Sequence, residues 1–190
     1  PAFAVVRIAQ NETARFKRVL DMGASGVMVP YVNTADEARA AVSAMRYPPH
    51  GVRGVAKVNR GAGFGGDFEE YYLHAHERLL GVLQIETPEA VANADAIAAV
   101  DGADVLFVGP TDLSYNMGRR DQLESPEFIA VLRRVAEAAA RHGKAAGILV
   151  HSATLVPMLR DLGYSFMALG SDGGAARTGL LGFAGALKGK

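Results

Sequence analysis

The sequence predicts an α/β protein built from repeated strand–helix units around a parallel sheet. Short β-branched apolar runs alternate with alanine-rich amphipathic stretches of about 10 to 18 residues, the pattern of a sheet covered by crossover helices. Capping residues fall at the joints between the two patterns. The 190 residues, 49% hydrophobic and 21% charged, are enough to bury a sizeable core and fit one domain over 1–190 better than two.

The strands are expected at Ala4 to Ile8, Gly26 to Pro30, Leu80 to Ile85, Val105 to Val108, Ala146 to Val150 and Phe166 to Leu169. Helices are expected at Thr13 to Met22, Ala35 to Met45, Phe68 to Arg78, Pro88 to Ala99, Pro126 to His142, Ala153 to Leu162 and Gly174 to Leu187. Thr34, Thr87 and Ser125 are placed to accept from free amide groups at helix starts, with Pro88 and Pro126 at first helical positions. Gly143 and Gly163 stand where helices should end. Arg46 to Gly66, rich in Pro, Gly and Arg, is long for a structureless connection and is therefore read as functional, covering the site or packing on a neighbour.

Six such units fall two short of a closed barrel of eight in about 250 residues. The chain runs from Pro1 almost directly into a strand, so the expectation is a barrel lacking its first two βα units, with 1–190 supplying the third to the eighth. An open doubly wound sheet is the alternative on pattern alone.

Composition narrows the function. Twenty basic residues balance twenty acidic ones, so nothing marks a polyanion partner and nucleic acid is not expected. With no cysteine, a metal would have to be held by oxygen or imidazole. No apolar run approaches the ~20 residues of a membrane span, and the N-terminus lacks a signal-peptide layout, so no membrane association and a cytoplasmic location are expected.

In parallel βα folds the working residues stand at the C-terminal ends of strands, here Arg7, Pro30, Glu86, Asp112, His151 and Asp172. Glu86 closes an apolar strand, and Asp112 follows the next one, so both carboxylates reach the same rim. Two hard oxygen ligands with water and substrate oxygens around them suit Mg²⁺ or Mn²⁺. Equally, both are placed to favour helix N-termini, worth about 0.3 to 1 kcal/mol each. Arg7 is placed either to grip a carboxylate in two-point fashion or to pair with one of the two acids. The Gly109-Pro110-Thr111 turn opens a short helix and is either an anion site or an ordinary strand–helix turn. His74 and His76 read as solvated, His142 as a helix-end residue, and His151 as the one histidine at a strand end. Of the lysines, Lys57 in the long segment is the single candidate for imine formation, while Lys17, Lys144, Lys188 and Lys190 are not placed for it.

The motifs Gln84-Ile85-Glu86-Thr87 and Val108-Gly109-Pro110-Thr111-Asp112-Leu113-Ser114, with Tyr47-Pro48-Pro49 and Gly51-Val52-Arg53-Gly54-Val55 upstream, resemble the HpcH/HpaI family of class II pyruvate aldolases. Gly147-Ile148-Leu149 and Gly170-Ser171-Asp172 extend the likeness over nearly the whole chain. The resemblance implies a (β/α)8 barrel of the phosphoenolpyruvate/pyruvate type, a divalent metal ion (Mg²⁺ or Mn²⁺, with Co²⁺ or Zn²⁺ as further candidates) on Glu86 and Asp112, and Arg7 as the arginine that contacts pyruvate and its enolate. It implies substrate-binding roles for Gln84, for the backbone of Gly109, Pro110 and Thr111, and for Leu149 as a wall of the acceptor pocket. It also implies a homo-oligomer, a hexamer in this family, often with the last helix exchanged between subunits. The family's Asp-x-Glu-His segment, which carries its base, has no match in this chain, in keeping with the missing units.

The reaction implied is reversible cleavage of 4-hydroxy-2-oxo acids to pyruvate and an aldehyde through an enolate. Two rivals stand beside it: a carbon–carbon lyase acting on acyl-CoA esters, similar to malyl-CoA or citryl-CoA lyases, and a non-catalytic remnant lacking its base.

Overall fold

The computed structural model describes residues 3–150 and 152–187. It contains one sheet of six parallel strands, β1 (Val5–Arg7), β2 (Gly26–Val29), β3 (Leu80–Ile85), β4 (Val105–Val108), β5 (Ala145–Val150) and β6 (Tyr164–Leu169), in sequential order. Between and after them run α1 (Thr13–Asp21), α2 (Ala35–Met45), α3 (Phe68–Arg78), α4 (Pro88–Ala92), α5 (Ala94–Ala98), α6 (Pro110–Asn116), α7 (Pro126–Arg141), α8 (Val156–Asp161) and α9 (Asp172–Leu187).

The order separates the two architectures left open by the sequence. A doubly wound sheet reverses direction at a switch point and carries helices on both faces; these strands never reverse. Alternate strand residues sort into two apolar clusters. Val27, Leu83, Ile85, Leu106, Val108 and Ile148 pack with helix residues such as Leu20, Val42, Ile97 and Leu132. Val82, Val105 and Phe107 pack with Val5, Met28, Leu149, Phe166 and Ala168, all from strands. Helices therefore cover one face and strand side chains alone fill the other, which is how a barrel interior is built. The parallel α/β expectation holds, as an arc of six units.

Most helices begin where the sequence placed them. The Thr34 hydroxyl accepts from the Glu37 amide while the Glu37 carboxylate accepts from Thr34, a complete capping box. Thr87 and Ser125 accept from Ala90 and Phe128. On α7, Phe128, Leu132, Val135 and Ala139 recur at helical spacing and are buried against the sheet, each large side chain worth about 2 kcal/mol. The predicted Pro88 to Ala99 helix is interrupted at Asn93, whose side-chain amide donates to the Asn33 carbonyl. The predicted Ala153 to Leu162 helix opens with a 3-10 turn before α8, and α9 starts two residues earlier than expected, at Asp172.

The long segment does not cover the rim. Residues 46–66 lie at the opposite end of the sheet: the Gly61 amide donates to the Asp21 carbonyl at the end of α1, and Arg46 pairs with Asp101 just before β4. Arg53 is fully buried there, paired with Asp21 at 2.8 Å, donating to the Tyr71 hydroxyl at 3.0 Å and lying 4.4 Å from the Tyr47 ring centre. Gly51, two residues before Arg53, has no room for a side chain, since a Cβ there would stand 2.2 Å from the Ser43 carbonyl oxygen. The motif is a clasp between α1, α2 and α3, and its arginine is structural.

Candidate active site

Arg7, Gln84, Glu86, Gly109, Pro110, Thr111, Asp112 and Leu149 all line one cleft of about 310 Å³, together with Met28, Phe107 and Ala168. Strand register assembles them. Arg7 is level with Met28, Gln84 with Phe107, and Leu149 with Ala168, all on the helix-free face. Glu86 follows two positions after Gln84, so the pleat carries it to the same side.

Glu86 is 2% exposed. Its Oε1 accepts from the Gln84 side-chain amide at 2.9 Å and its Oε2 from the Tyr31 backbone N–H at 3.0 Å. Burial pushes its carboxyl above the usual glutamate value; the Tyr31 amide opposes this, the Asp112 charge adds to it, and the Arg7 charge pulls back. Asp112 is an exposed acid in the first turn of α6, and its Oδ1 accepts from the Tyr31 hydroxyl at 3.1 Å. Glu86 caps no helix, because Thr87 fills that role for α4. Among the described residues no ion pair joins Arg7 to either acid.

The donor set fits a hard divalent ion. Glu86 is a desolvated carboxylate with no cation within hydrogen-bonding distance, and the Gln84 Oε1 is buried without a donor among the described residues. No cluster of three or more His, Cys, Asp or Glu side chains occurs among them, and Glu86 with Asp112 offers an ion two carboxylates. That is the manner in which Mg²⁺ is held, with most of its octahedron left to water and substrate.

Tyr31 and Asn116 are the residues sequence reasoning missed. The Asn116 side-chain amide donates to the Glu86 carbonyl at 2.9 Å. Tyr31 follows Pro30, which was singled out as a strand end, but no pattern announces a tyrosine in the left-handed region (φ 51°). Asp172 does not line the cleft. Lys57 lies 5.5 Å from the Phe68 ring, away from the rim. His151, Lys188 and Lys190 lie outside the described residues.

A sheet wound in sequence, bare of helices on one face and carrying two carboxylates and an arginine at the C-terminal rim, defines a β/α-barrel enzyme scaffold with an acidic cleft. The profile of the HpcH/HpaI aldolase/citrate lyase family matches residues 1–178. The chain is 41% identical to a hydroxypyruvate/pyruvate aldolase of Pseudomonas aeruginosa over all of its own length and 70% of that relative's. It is 38% identical to a 5-keto-4-deoxy-D-glucarate aldolase of Klebsiella pneumoniae over 92% of this chain and 68% of that one. A crystal structure of a family protein from Burkholderia cenocepacia superposes with a TM-score of 0.87 at 33% identity, covering 95% of this chain and 73% of the other. The chain belongs to the HpcH/HpaI aldolase/citrate lyase family, as its motifs predict. It spans 70% and 68% of the length of these two curated relatives. Their names agree with the expected lyase class.

Proposed function

We propose that the chain is the larger part of a divalent-metal-dependent pyruvate aldolase, which cleaves 4-hydroxy-2-oxo acids reversibly to pyruvate and an aldehyde. The observation that carries this is the convergence of Arg7, Gln84, Glu86, Asp112 and the Gly109–Thr111 turn on one cleft around a buried carboxylate.

Glu86 and Asp112 would hold Mg²⁺ or Mn²⁺, and such an ion supplies electrophilic pull on a 2-oxo group, which makes an enolate cheaper to form. Arg7 stands at the cleft wall with no ion-pair partner among the described residues, placed to bind the pyruvate carboxylate and to share the charge that develops during cleavage. The Gly109–Thr111 turn, which lines the same cleft, would offer its backbone to the pyruvate carboxylate. Leu149, with Phe107 and Ala168, supplies an apolar wall that excludes water from the acceptor side. No histidine lines the cleft among the described residues, and no residue of the cleft is given the role of taking the 4-hydroxyl proton.

Among the described residues Arg7 is the one cation lining the cleft, which favours a small 2-oxo acid over a CoA ester, whose phosphates call for several. The chain works as a homo-oligomer, a hexamer by family likeness: α9 buries none of its residues, leaving Leu180, Leu181, Phe183 and Leu187 exposed. Among the described residues no helix is long and apolar enough to cross a membrane; the proposed location is the cytoplasm.

The test is exchange of the pyruvate methyl protons in D₂O, followed by NMR with Mg²⁺, Mn²⁺ or EDTA, alongside pyruvate release from short and long 4-hydroxy-2-oxo acids. Metal-dependent exchange supports the reading. No exchange and no release, even with the two further βα units supplied, would overturn it in favour of CoA-ester substrates or a non-catalytic role.

A further inference from the structure

Tyr31 touches both candidate metal-binding acids. Its backbone N–H donates to Glu86 Oε2 at 3.0 Å and its hydroxyl to Asp112 Oδ1 at 3.1 Å, so a single residue spans from β3 to α6. It does so from a left-handed backbone (φ 51°), a conformation that costs a residue with a Cβ and persists where the surroundings over-determine it. Those surroundings are present. The next residue, Val32, donates its amide to the Gln84 carbonyl at 3.2 Å, and Asn33 is held by Thr87 and by Asn93. The segment is thus stitched to β3 and α4 on its C-terminal side, and the turn at Tyr31 aims its amide at Glu86.

We propose that Tyr31 is a positioning residue that sets the separation and orientation of the Glu86 and Asp112 carboxylates for a divalent cation, with its phenol acting as an outer hydrogen-bond donor to Asp112. The inference rests on the metal-binding role proposed above for those two acids. Two carboxylates facing one cleft repel each other, and Asp112, exposed on the first turn of α6, has free rotamers to move away. The Tyr31 hydroxyl ties down Oδ1 and leaves Oδ2 without a hydrogen-bond partner among the described residues, available as a ligand. An outer partner that fixes a ligand's orientation typically contributes 10- to 100-fold in metal affinity. Tyr31 does not line the substrate cleft, so its contribution falls on metal binding before substrate arrives.

The experiment is Mn²⁺ titration of the full chain without substrate, with free ion read by EPR, for the wild type, Tyr31→Phe, Tyr31→Gly and Glu86→Gln. Tyr31→Phe removes the hydroxyl alone and is expected to raise the Mn²⁺ Kd about 10-fold, with metal-free thermal unfolding unchanged. Tyr31→Gly keeps the amide donor and relieves the backbone, and is expected to lose affinity to the same degree. Wild-type affinity, or tighter binding, in either Tyr31 variant would overturn the inference and leave the metal site standing. A wild type that binds Mn²⁺ no better than Glu86→Gln would remove the metal reading and this inference with it.

Discussion

Gly109 and Glu86 compete for one volume. A methyl group on Gly109 would stand 2.5 Å from Glu86 Oε1 and 2.8 Å from its Cγ, closer than atoms can approach. The glycine between β4 and α6 is there to let the neighbouring strand's carboxylate lie flat against the backbone. Gly109→Ala is expected to push Glu86 out of position and to weaken Mn²⁺ binding at least 10-fold, the scale of losing a ligand's support. Circular dichroism should remain that of the wild type, because the collision falls on the end of a side chain. Mn²⁺ titration checks it.

Glu86 should also leave a mark on stability. Its folded carboxyl ionises at higher pH than in the unfolded chain, because burial disfavours the charge. Below the ordinary glutamate value of 4.5 both states are protonated and nothing is lost. As pH rises from there through the folded value, the unfolded chain gives up its proton first and the metal-free fold loses stability. Relative to Glu86→Gln, the metal-free wild type is therefore expected to become progressively less stable between acid and neutral pH. Urea unfolding of both proteins in EDTA at several pH values reads the slope.

Arg7→Lys keeps the charge and loses the planar fork. If Arg7 binds the pyruvate carboxylate, the KM for 2-oxo acid should rise by about 10-fold, corresponding to roughly one charge-assisted hydrogen bond, while Mn²⁺ affinity in the absence of substrate stays put. Steady-state kinetics of the assembled enzyme and the titration used above separate the two.

Arg53 lies at the other end of the sheet, where a loss should register as stability alone. Arg53→Ala leaves Asp21 to Lys17 alone, removes the partner of the Tyr71 hydroxyl and opens the space against Tyr47 and Tyr71, and is expected to cost about 2 kcal/mol, the scale of a hydrogen bond to a charged group. The urea midpoint should fall while Mn²⁺ affinity is retained.

Much of this was legible because two periodicities coincide. Strand ends mark the rim in any parallel βα fold, so Arg7, Glu86 and Asp112 could be placed from apolar runs alone, and the motifs around them named the family. The contribution of Tyr31 was not legible, since its amide reaches Glu86 through a left-handed turn for which a tyrosine gives no local signal. The segment around Arg53 misled in a different way. Its length and its Pro, Gly and Arg content marked it as special, but composition does not say which end of a sheet a connection occupies, and here it clasps α1 to α3 far from the cleft.

Because cleft residues on each strand alternate with core residues, a gene encoding this chain is unevenly tolerant of small lesions. Losing a single codon inside β3 would exchange Gln84 for a neighbour such as Leu83 or Ile85 on the cleft side and turn an amide or carboxylate toward the helix layer. The same lesion in the exposed stretch after α6 shortens a connection and leaves every strand in phase. Length polymorphism among descendants of this sequence should therefore collect in the connections, whereas the strands drift by substitution alone.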